Sequence, residues 1–295
     1  MAAWWRAVTD SCMPDGAAPM TAPSRPAVTL PAGACDSHCH IFGPFDRFPL
    51  PEDRSFNPHE TPEPALRALH DHLGIDRAVI VQSQGHGLDH AALLDALDRG
   101  AGRYRGVALL RPGMPRAALQ DLDRRGIRGV RFSFMPHLGR PDLDMVRAVI
   151  AEVAPLGWHV ALHVAGDGLA EMSPFIAAID APVVIDHMAR PERPDDPACL
   201  DGLRRLLDRE KVWIKLSCAE RLTRAGAPYD DVAPLMRALI DHAPDRMLWG
   251  SDWPHVNLHG PMPDEGTLVD LLASLTTEAE RRQILVDTPA QLFGF

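Results

Sequence analysis

An apolar stretch that carries two histidines occupies residues 35–42 and has the sequence CDSHCHIF. Side chains alternate between the two faces of a β-strand, so residues 36, 38 and 40 are expected on one face and residues 37 and 39 on the other. His38 and His40 then converge, while Cys39 points away. The stretch therefore predicts a first strand that carries two reactive imidazoles at its end.

Seven further apolar or β-branched runs follow this stretch, and helical periodicity fills the intervals between the runs. Strands are expected at residues 34–42, 77–83, 104–110, 129–134, 159–164, 183–187, 212–217 and 247–252. Helices are expected at residues 64–73, 90–99, 145–156, 200–209, 232–242 and 278–292. Alternation of eight strands with helices implies parallel strands, because each helix returns the chain to the same end of the sheet.

Reactive side chains fall at the carboxyl ends of these strands. They are His38, His40, Ser83, Arg131, His163, His187, Ser217 and Asp252. Barrel enzymes build their active sites at this end, and only ring closure brings the first and eighth strands together. An open doubly wound sheet normally has fewer strands and a glycine-rich turn after the first strand, which this sequence lacks. The predicted fold is a (β/α)₈ TIM barrel over residues 31–295, preceded by an extended or disordered arm at residues 1–30.

Composition and charge exclude several classes of function. The chain is 46% hydrophobic and 24% charged, which is typical of a globular protein. Its formal net charge is −10 and it has no basic run, so nucleic acid is not expected as a partner. No apolar run approaches the ~20 residues that span a bilayer, and the cysteine spacing fits no disulfide framework. A cytoplasmic protein is expected, and a homodimer is expected only because most soluble oligomers are symmetric dimers.

The histidine pair at the end of the first strand has two interpretations. His38 and His40 can chelate a divalent metal or polarise a substrate oxygen, or they can be buried structural residues. For an isolated pair the structural interpretation is preferred. His187 and Asp252, however, place two more ionisable groups at the ends of apolar strands. Because a buried aspartate without partners is costly, Asp252 is expected to face histidines or a metal, which favours a functional site.

Five motifs along the chain resemble those of a known family. They are CDSHCHIFGP at residues 35–44, GVRFSF at 129–134, IDHMARP at 185–191, WIKLS at 213–217 and WGSDWPH at 249–255. In order and spacing they resemble the amidohydrolase-related family, in the branch that contains the 2-pyrone-4,6-dicarboxylate hydrolases and related lactonases. The resemblance covers nearly the whole chain from Cys35 onward. It implies a TIM barrel that hydrolyses a lactone by attack of an activated water on the ring carbonyl.

The resemblance also implies roles for individual residues. Asp252 would be the general base on the attacking water. The groups that polarise the carbonyl and stabilise the oxyanion would be His38, His40 and His187. The positions that hold substrate oxygens match Ser83, Arg131 and Arg221, and Arg131 would grip an acid group. The expected substrate is a small anionic lactone.

Three positions depart from the pattern of the pyrone-dicarboxylate enzymes. That branch has a second arginine six residues after Arg131, where this chain has His137. It tends to have tyrosines where this chain has Phe56 and His163. A histidine is a poor replacement for an arginine that holds a carboxylate through two hydrogen bonds. His137 and His163 are still expected to contact the substrate, and these departures count against the pyrone dicarboxylate itself as that substrate.

His163 also bears on metal binding. The pyrone branch is expected to work without a metal, whereas metal-dependent relatives use a histidine in the fifth strand. One divalent ion with a water in its open position would be held by His38, His40, His163 and Asp252. Zinc is slightly favoured on these grounds, and metal-free catalysis is the alternative.

Three functions remain open at this point. The expected one is opening of the lactone ring of a small carboxylated compound, with a sugar-acid lactonase as the nearest alternative. A zinc-dependent decarboxylase of the wider superfamily would need a tightly held metal and a substrate without a hydrolysable ester. A non-enzymatic binding barrel would require the histidine cluster to be inert.

Overall fold

The computed structural model describes residues 14–135 and 139–295, in which eight strands form one sheet. The strands are β1 (Cys35–Cys39), β2 (Arg77–Val81), β3 (Tyr104–Ala108), β4 (Ile127–Ser133), β5 (His159–His163), β6 (Val183–Ile185), β7 (Val212–Leu216) and β8 (Met247–Trp249). Each strand pairs in parallel with the next along the chain, from β1 with β2 to β7 with β8. The predicted TIM barrel is confirmed.

Helices follow the strands as crossover connections. They are α1 (Glu63–Leu73), α2 (Ala91–Gly100), α3 (Arg116–Arg124), α4 (Leu143–Val153), α5 (Leu169–Ala177), α6 (Pro197–Leu207), α7 (Ala219–Leu222), α8 (Ala233–His242), α9 (Glu265–Leu275), α10 (Glu278–Arg282) and α11 (Thr288–Phe293). Helix α4 begins at residue 143 because the Asp142 carboxylate accepts hydrogen bonds from the amides of Asp144 and Met145. The helix predicted at 278–292 is α10 and α11, joined by the π-helical stretch Gln283–Asp287.

The barrel closes just beyond the end of β8. The amide of Asp252 donates to His38 O at 2.8 Å, and the amide of His40 donates to Trp253 O at 2.7 Å. Gly250 permits this approach, since a Cβ atom there would lie 2.6 Å from the His38 Cβ. Closure therefore places Asp252 beside His38 and His40, as the strand order predicts.

An irregularity in β1 corrects one expectation. The register of β1 against β2 shifts between Asp36 and Cys39, so the alternation of side chains is interrupted. Asp36 was expected on the face of His38 and His40, but its carboxylate accepts a hydrogen bond from Nε2 of His70 on α1, at 3.2 Å. It thus lies with Cys39 and His70 on the helix side of the strand. The prediction was wrong for Asp36 because residue-by-residue alternation ignores bulges.

Two apolar cores stabilise the barrel. The larger core lies between the sheet and the helices and includes Leu66, Val130 and Leu239. The smaller core fills the barrel interior and consists of Cys35, Val79, Val81, Val107, Ala161, Val184, Leu248 and Phe293. Phe293 comes from α11 and its ring lies 5.1 Å from that of His159, the first residue of β5, so α11 covers the amino-terminal end of the barrel. The carboxyl end is left for polar side chains.

Residues 14–30 form no helix or strand and are hydrogen-bonded to the barrel. The amide of Ser24 donates to the Asp264 carboxylate at 2.9 Å, and the amide of Ala27 donates to Asp270 Oδ1 at 2.7 Å. The domain boundary near residue 30 stays a prediction. Across residues 14–135 and 139–295, no helix has the length and apolar character needed to cross a membrane.

Candidate active site

A cavity of about 280 Å³ lies at the carboxyl ends of the strands. It is lined by His40, Phe56, Ser83, Gln84, Arg131, His163, His187, Arg190, Cys218, Arg221, Asp252, Val256 and Asn257. Most of the site residues predicted from the sequence are thus brought together. His38 is completely buried and lies behind the lining residues. His137 lies outside the described residues, so its contact with substrate stays a prediction.

The Asp252 carboxylate is the centre of the site. Its Oδ1 atom lies 3.5 Å from Nε2 of His40, 3.6 Å from Nε2 of His38 and 3.8 Å from Nε2 of His187. Its Oδ2 atom accepts a hydrogen bond from the Cys218 thiol at 3.1 Å. The backbone of Asp252 is left-handed, with a φ of 63°, which turns the side chain away from the direction of β8.

Electrostatic contacts keep this carboxylate ionised. Burial alone would raise the pKa of Asp252, but the surrounding groups, among them the charged Arg221, outweigh burial and hold the pKa well below its ordinary value of 3.8. At neutral pH, Asp252 is therefore a carboxylate that can accept a proton. A general base needs this protonation state.

The two histidines of β1 have different hydrogen-bond partners. Nδ1 of His40 lies 2.8 Å from the carbonyl oxygen of Val81, and a carbonyl only accepts, so Nδ1 donates. Nδ1 of His38 lies 3.0 Å from Nζ of Lys215. Burial and the charge of Lys215 lower the pKa of His38 to about 3, so this ring is neutral at pH 7.

His187 and His163 complete the imidazole group. Nδ1 of His187 lies 2.8 Å from Ser217 Oγ, and the His163 ring centroid lies 5.2 Å from that of His187. Burial is the largest of the effects that lower the pKa of both rings well below the usual 6.5. Nε2 of His163 is buried and has no hydrogen-bond partner among the described residues. Both rings are therefore neutral near pH 7, and His163 has a nitrogen free for a ligand.

A buried ionic chain beneath the cavity was not predicted from the sequence. Lys215 is 0% exposed, and its Nζ lies 3.1 Å from Oδ1 of Asp186. Oδ2 of Asp186 accepts a hydrogen bond from Nε of Arg131 at 2.8 Å. A lysine within the apolar strand VWIKL was the available indication, because lysine is almost never fully buried without a partner.

Three arginines line the cavity. Arg131 binds Asp186 through Nε, and its terminal nitrogens make no hydrogen bond within the described part of the chain. Arg221 lies with Nε 3.3 Å from Oδ2 of Asp252. Arg190 forms no ion pair with any carboxylate in residues 14–135 and 139–295. The cavity lining has three guanidinium groups and one carboxylate, so its net positive charge suits an anion.

Arg190 was also missed by the sequence prediction. It ends a run of four left-handed residues, His187–Arg190, with φ values of 55°, 52°, 58° and 41°. Such backbone costs free energy in residues other than glycine and persists only where surrounding structure holds it. The run directs both His187 and Arg190 toward the cavity.

The site also contains a group of potential metal ligands. Donor atoms of His38, His187 and Asp252 lie within 4.8 Å of one another. Two of the four predicted zinc ligands, His40 and His163, are not part of this group, which instead includes His187, a residue predicted to polarise the carbonyl.

Comparisons with known proteins agree with this fold. Residues 35–295 match the Amidohydrolase family, so the chain belongs to this family of enzymes. It is 40% identical over 284 residues to a 2-pyrone-4,6-dicarboxylate hydrolase of Comamonas testosteroni, covering 92% of this chain and 93% of the relative. It is 41% identical over 272 residues to a 4-sulfomuconolactone hydrolase of Rhizobium radiobacter, covering 90% and 91%. The apo structure of an Agrobacterium tumefaciens protein matches with a TM-score of 0.81 and 29% identity, covering 92% of this chain and 98% of that one.

Proposed function

We propose that this chain hydrolyses the ring ester of a small carboxylated lactone. The observation that carries the proposal is the position of Asp252, whose Oδ1 atom faces the Nε2 atoms of three histidines at 3.5–3.8 Å beside the cavity. An ionised carboxylate can take a proton from water, and imidazole N–H groups can stabilise an oxyanion. The two relatives reported above are named as hydrolases of ring esters, which supports the same reaction.

The proposed reaction has two steps. Asp252 takes a proton from a water molecule as the water oxygen attacks the ring carbonyl carbon, and the carbonyl oxygen becomes an oxyanion. Imidazole N–H groups stabilise this oxyanion. The carbonyl then reforms, the bond to the ring oxygen breaks, and Asp252 returns its proton to that oxygen. The product is a hydroxy acid, and one water molecule is consumed.

The arginines select an acidic substrate in this proposal. Arg190 has no carboxylate partner among the described residues, and the terminal nitrogens of Arg131 are also available. A guanidinium binds a carboxylate through two parallel hydrogen bonds. Both 2-pyrone-4,6-dicarboxylate and 4-sulfomuconolactone are ring esters with acidic substituents, which fits a cavity lined by three arginines. Ser83 also lines the cavity and is proposed to hold a substrate oxygen.

Zinc fits the predicted set of ligands poorly. His40 and His163 are both outside the group of potential ligands. An ammonium cannot accept a hydrogen bond, so Nδ1 of His38 accepts from Lys215 and Nε2 carries the hydrogen of the neutral ring. A ring nitrogen that carries hydrogen cannot bind a metal. We therefore propose the metal-free alternative, in which Asp252 and the histidines act alone.

A substrate panel tests the proposed function. It contains 2-pyrone-4,6-dicarboxylate, 4-sulfomuconolactone, a sugar-acid lactone and the uncharged δ-valerolactone, with ring opening followed by acid release. We expect turnover of at least one acidic lactone and poor turnover of δ-valerolactone. Preference for the sugar-acid lactone would select the nearest alternative. Release of carbon dioxide without ring opening would instead identify a decarboxylase, and binding without any turnover would identify a binding barrel.

A further inference from the structure

We propose that Lys215 is a positioning residue that sets the tautomer of His38, so that the two histidines of β1 have opposite hydrogen-bonding roles. Lys215 makes His38 a hydrogen-bond donor toward the reacting atoms, whereas His40 faces the same atoms as an acceptor. The inference rests on the proposed lactone hydrolysis for its chemical meaning. The tautomers of the two rings can be tested in the absence of any substrate.

The direction of the His40 hydrogen bond follows from its partner. The Val81 carbonyl lies 2.8 Å from Nδ1 of His40 and has no hydrogen to give. Nδ1 therefore carries a hydrogen, and when the ring carries only that hydrogen, Nε2 has a lone pair. That lone pair is 3.5 Å from Oδ1 of Asp252. A water molecule beside these two acceptors would donate one hydrogen to each of them.

His38 has the reverse arrangement. Nζ of Lys215 lies 3.0 Å from Nδ1 of His38, and the ammonium can only donate. Nδ1 therefore accepts and Nε2 carries the hydrogen. Nε2 lies 3.6 Å from Oδ1 of Asp252, is completely buried, and has no hydrogen-bond partner within the described residues. A buried N–H group without a partner is available for an oxygen that gains charge during the reaction.

One competing acceptor could reverse this assignment. Oδ1 of Asp186 lies 3.4 Å from Nδ1 of His38, and Nδ1 would donate to it if Lys215 were absent. Lys215 is the closer of the two groups to Nδ1, and its Nζ also lies 3.1 Å from the same Oδ1 atom, whose charge it balances, whereas Arg131 binds the other oxygen, Oδ2, at 2.8 Å. Burial lowers the pKa of Lys215, and the Asp186 carboxylate opposes this effect and favours the charged form of the lysine. The ionic chain thus selects one tautomer of His38.

Because of their different tautomers, His38 and His40 have different tasks in hydrolysis. His40 and Asp252 accept the two hydrogens of the attacking water, which orients the water oxygen toward the carbonyl carbon. His38 donates through Nε2 to the carbonyl oxygen as it becomes an oxyanion. A neutral imidazole can act as such a donor, and a neutral ring agrees with the complete burial of His38.

Nitrogen NMR of the substrate-free protein tests the tautomers directly. The chain has 14 histidines, and the two signals are assigned by their loss in the His38→Asn and His40→Asn variants. In the otherwise unsubstituted protein we expect hydrogen on Nε2 of His38 and on Nδ1 of His40. The same tautomer in both rings would overturn the proposal.

The Lys215→Met variant tests the cause. Methionine fills similar space without a charge or a donor, so Nδ1 of His38 should then donate to Asp186 and its tautomer should reverse, while His40 keeps its own. With an oxyanion donor lost, we expect kcat to fall about 10²–10³-fold with little change in KM. Ile214→Val on the same strand, in the core outside the barrel, is the packing control and should change neither tautomer.

Each result of the variant has one meaning. An unchanged His38 tautomer or an unchanged kcat in Lys215→Met overturns the role of Lys215. If this variant does not fold, the tautomers of the unsubstituted protein still decide the proposal. If the tautomers are as expected but no lactone is hydrolysed, the proposed function fails and the role of Lys215 in setting the His38 tautomer stands.

Discussion

Two buried aspartates, Asp36 and Asp252, lie on either side of the seam where β8 meets β1, and they have different surroundings. Oδ1 of Asp36 accepts from the amides of His38 and Ser251, both at 3.0 Å. Its Oδ2 accepts from the Ser251 hydroxyl at 2.5 Å and from His70 at 3.2 Å. Asp252 instead faces three imidazole nitrogens at 3.5–3.8 Å and lines the cavity.

The difference separates a residue that closes the barrel from the residue that we propose as the general base. A buried carboxylate with four short hydrogen bonds is held in place and has no lone pair to spare for a substrate. Asp252 has nearby imidazole nitrogens at distances too long for ordinary hydrogen bonds, so space and unused hydrogen-bonding capacity remain around Oδ1. We expect substitutions at Asp36 to affect mainly stability and substitutions at Asp252 to affect mainly catalysis.

The largest expected effect is that of Asp252→Asn. An amide cannot take the proton of the attacking water, so we expect kcat for the best lactone to fall about 10³–10⁴-fold. Activity is measured by acid release, and circular dichroism checks that the variant is folded. The matched comparison is Asp36→Asn, which should retain far more activity per folded molecule. Undiminished turnover in Asp252→Asn would show that Asp252 is not the general base.

His255 is a second buried ionisable residue that we expect to stabilise the folded state. It lies between Glu220 and Glu265, with each carboxylate at 3.4 Å. Burial alone would lower the pKa of His255, but the two glutamates raise it from 6.5 to about 9. The folded state thus binds the proton more tightly than the unfolded state. The resulting stabilisation is present below pH 6.5 and is lost as the pH rises through 9.

Urea unfolding between pH 6.5 and 9 tests this contribution. We expect His255 to account for a loss of about 3 kcal/mol in the free energy of unfolding over this range. His255→Gln should be less stable at the lower pH and should lack this part of the pH dependence. His242→Gln, at a more exposed histidine that pairs with Asp208, is the control and should keep the pH dependence. An equal slope in His255→Gln and the unsubstituted protein would contradict the assignment.

Asp36→Asn should lower stability by less than the His255 contribution. The amide group presents hydrogens where Asp36 now accepts them, so at least one buried donor from Ser251 or His70 loses its partner. We expect the free energy of unfolding to fall by about 2 kcal/mol, measured in urea at neutral pH. The control is Asp142→Asn at the start of α4, where asparagine caps a helix as well as aspartate does. A stability equal to that of the control would show that Asp36 is not important for barrel closure.

Arg190→Met gives the smallest expected effect. Loss of a charged hydrogen bond to the acid group of the substrate should raise KM about tenfold for acidic lactones, with a smaller change in kcat. KM for δ-valerolactone should not change, because that substrate has no acid group. Arg193→Met removes a nearby exposed arginine that faces Asp195, and serves as the control. A fall in kcat alone would place Arg190 in the chemical step instead of in substrate binding.

The fold could be predicted from the sequence because the spacing of apolar residues follows which side chains are buried. All eight expected strands are present, and their starts agree within two residues. The ends of β6 and β8 were predicted too late, at residues 187 and 252, whereas the strands end at Ile185 and Trp249. The chain takes left-handed turns at His187 and Asp252, where functional side chains are aimed. Propensity and periodicity do not encode such turns.

Only part of the site was predicted from the sequence, namely the residues at the ends of apolar strands. His38, His40, His187 and Asp252 were found because they end apolar strands, and the structure brings them together. Lys215 and Arg190 were missed for different reasons. The partners of Lys215 are on β1 and just after β6, so its role depends on barrel geometry that strand periodicity does not report. The orientation of Arg190 depends on four successive residues with positive φ.

We propose that Asp252 and its three histidines open an acidic lactone without a metal. The most direct test is the metal content and the lactone hydrolysis of the same protein sample, before and after removal of metals by a chelator. If catalysis is metal-free, kcat is unchanged when only a small fraction of one metal ion per chain remains. Loss of activity on chelation, with recovery when zinc is added back, would contradict it.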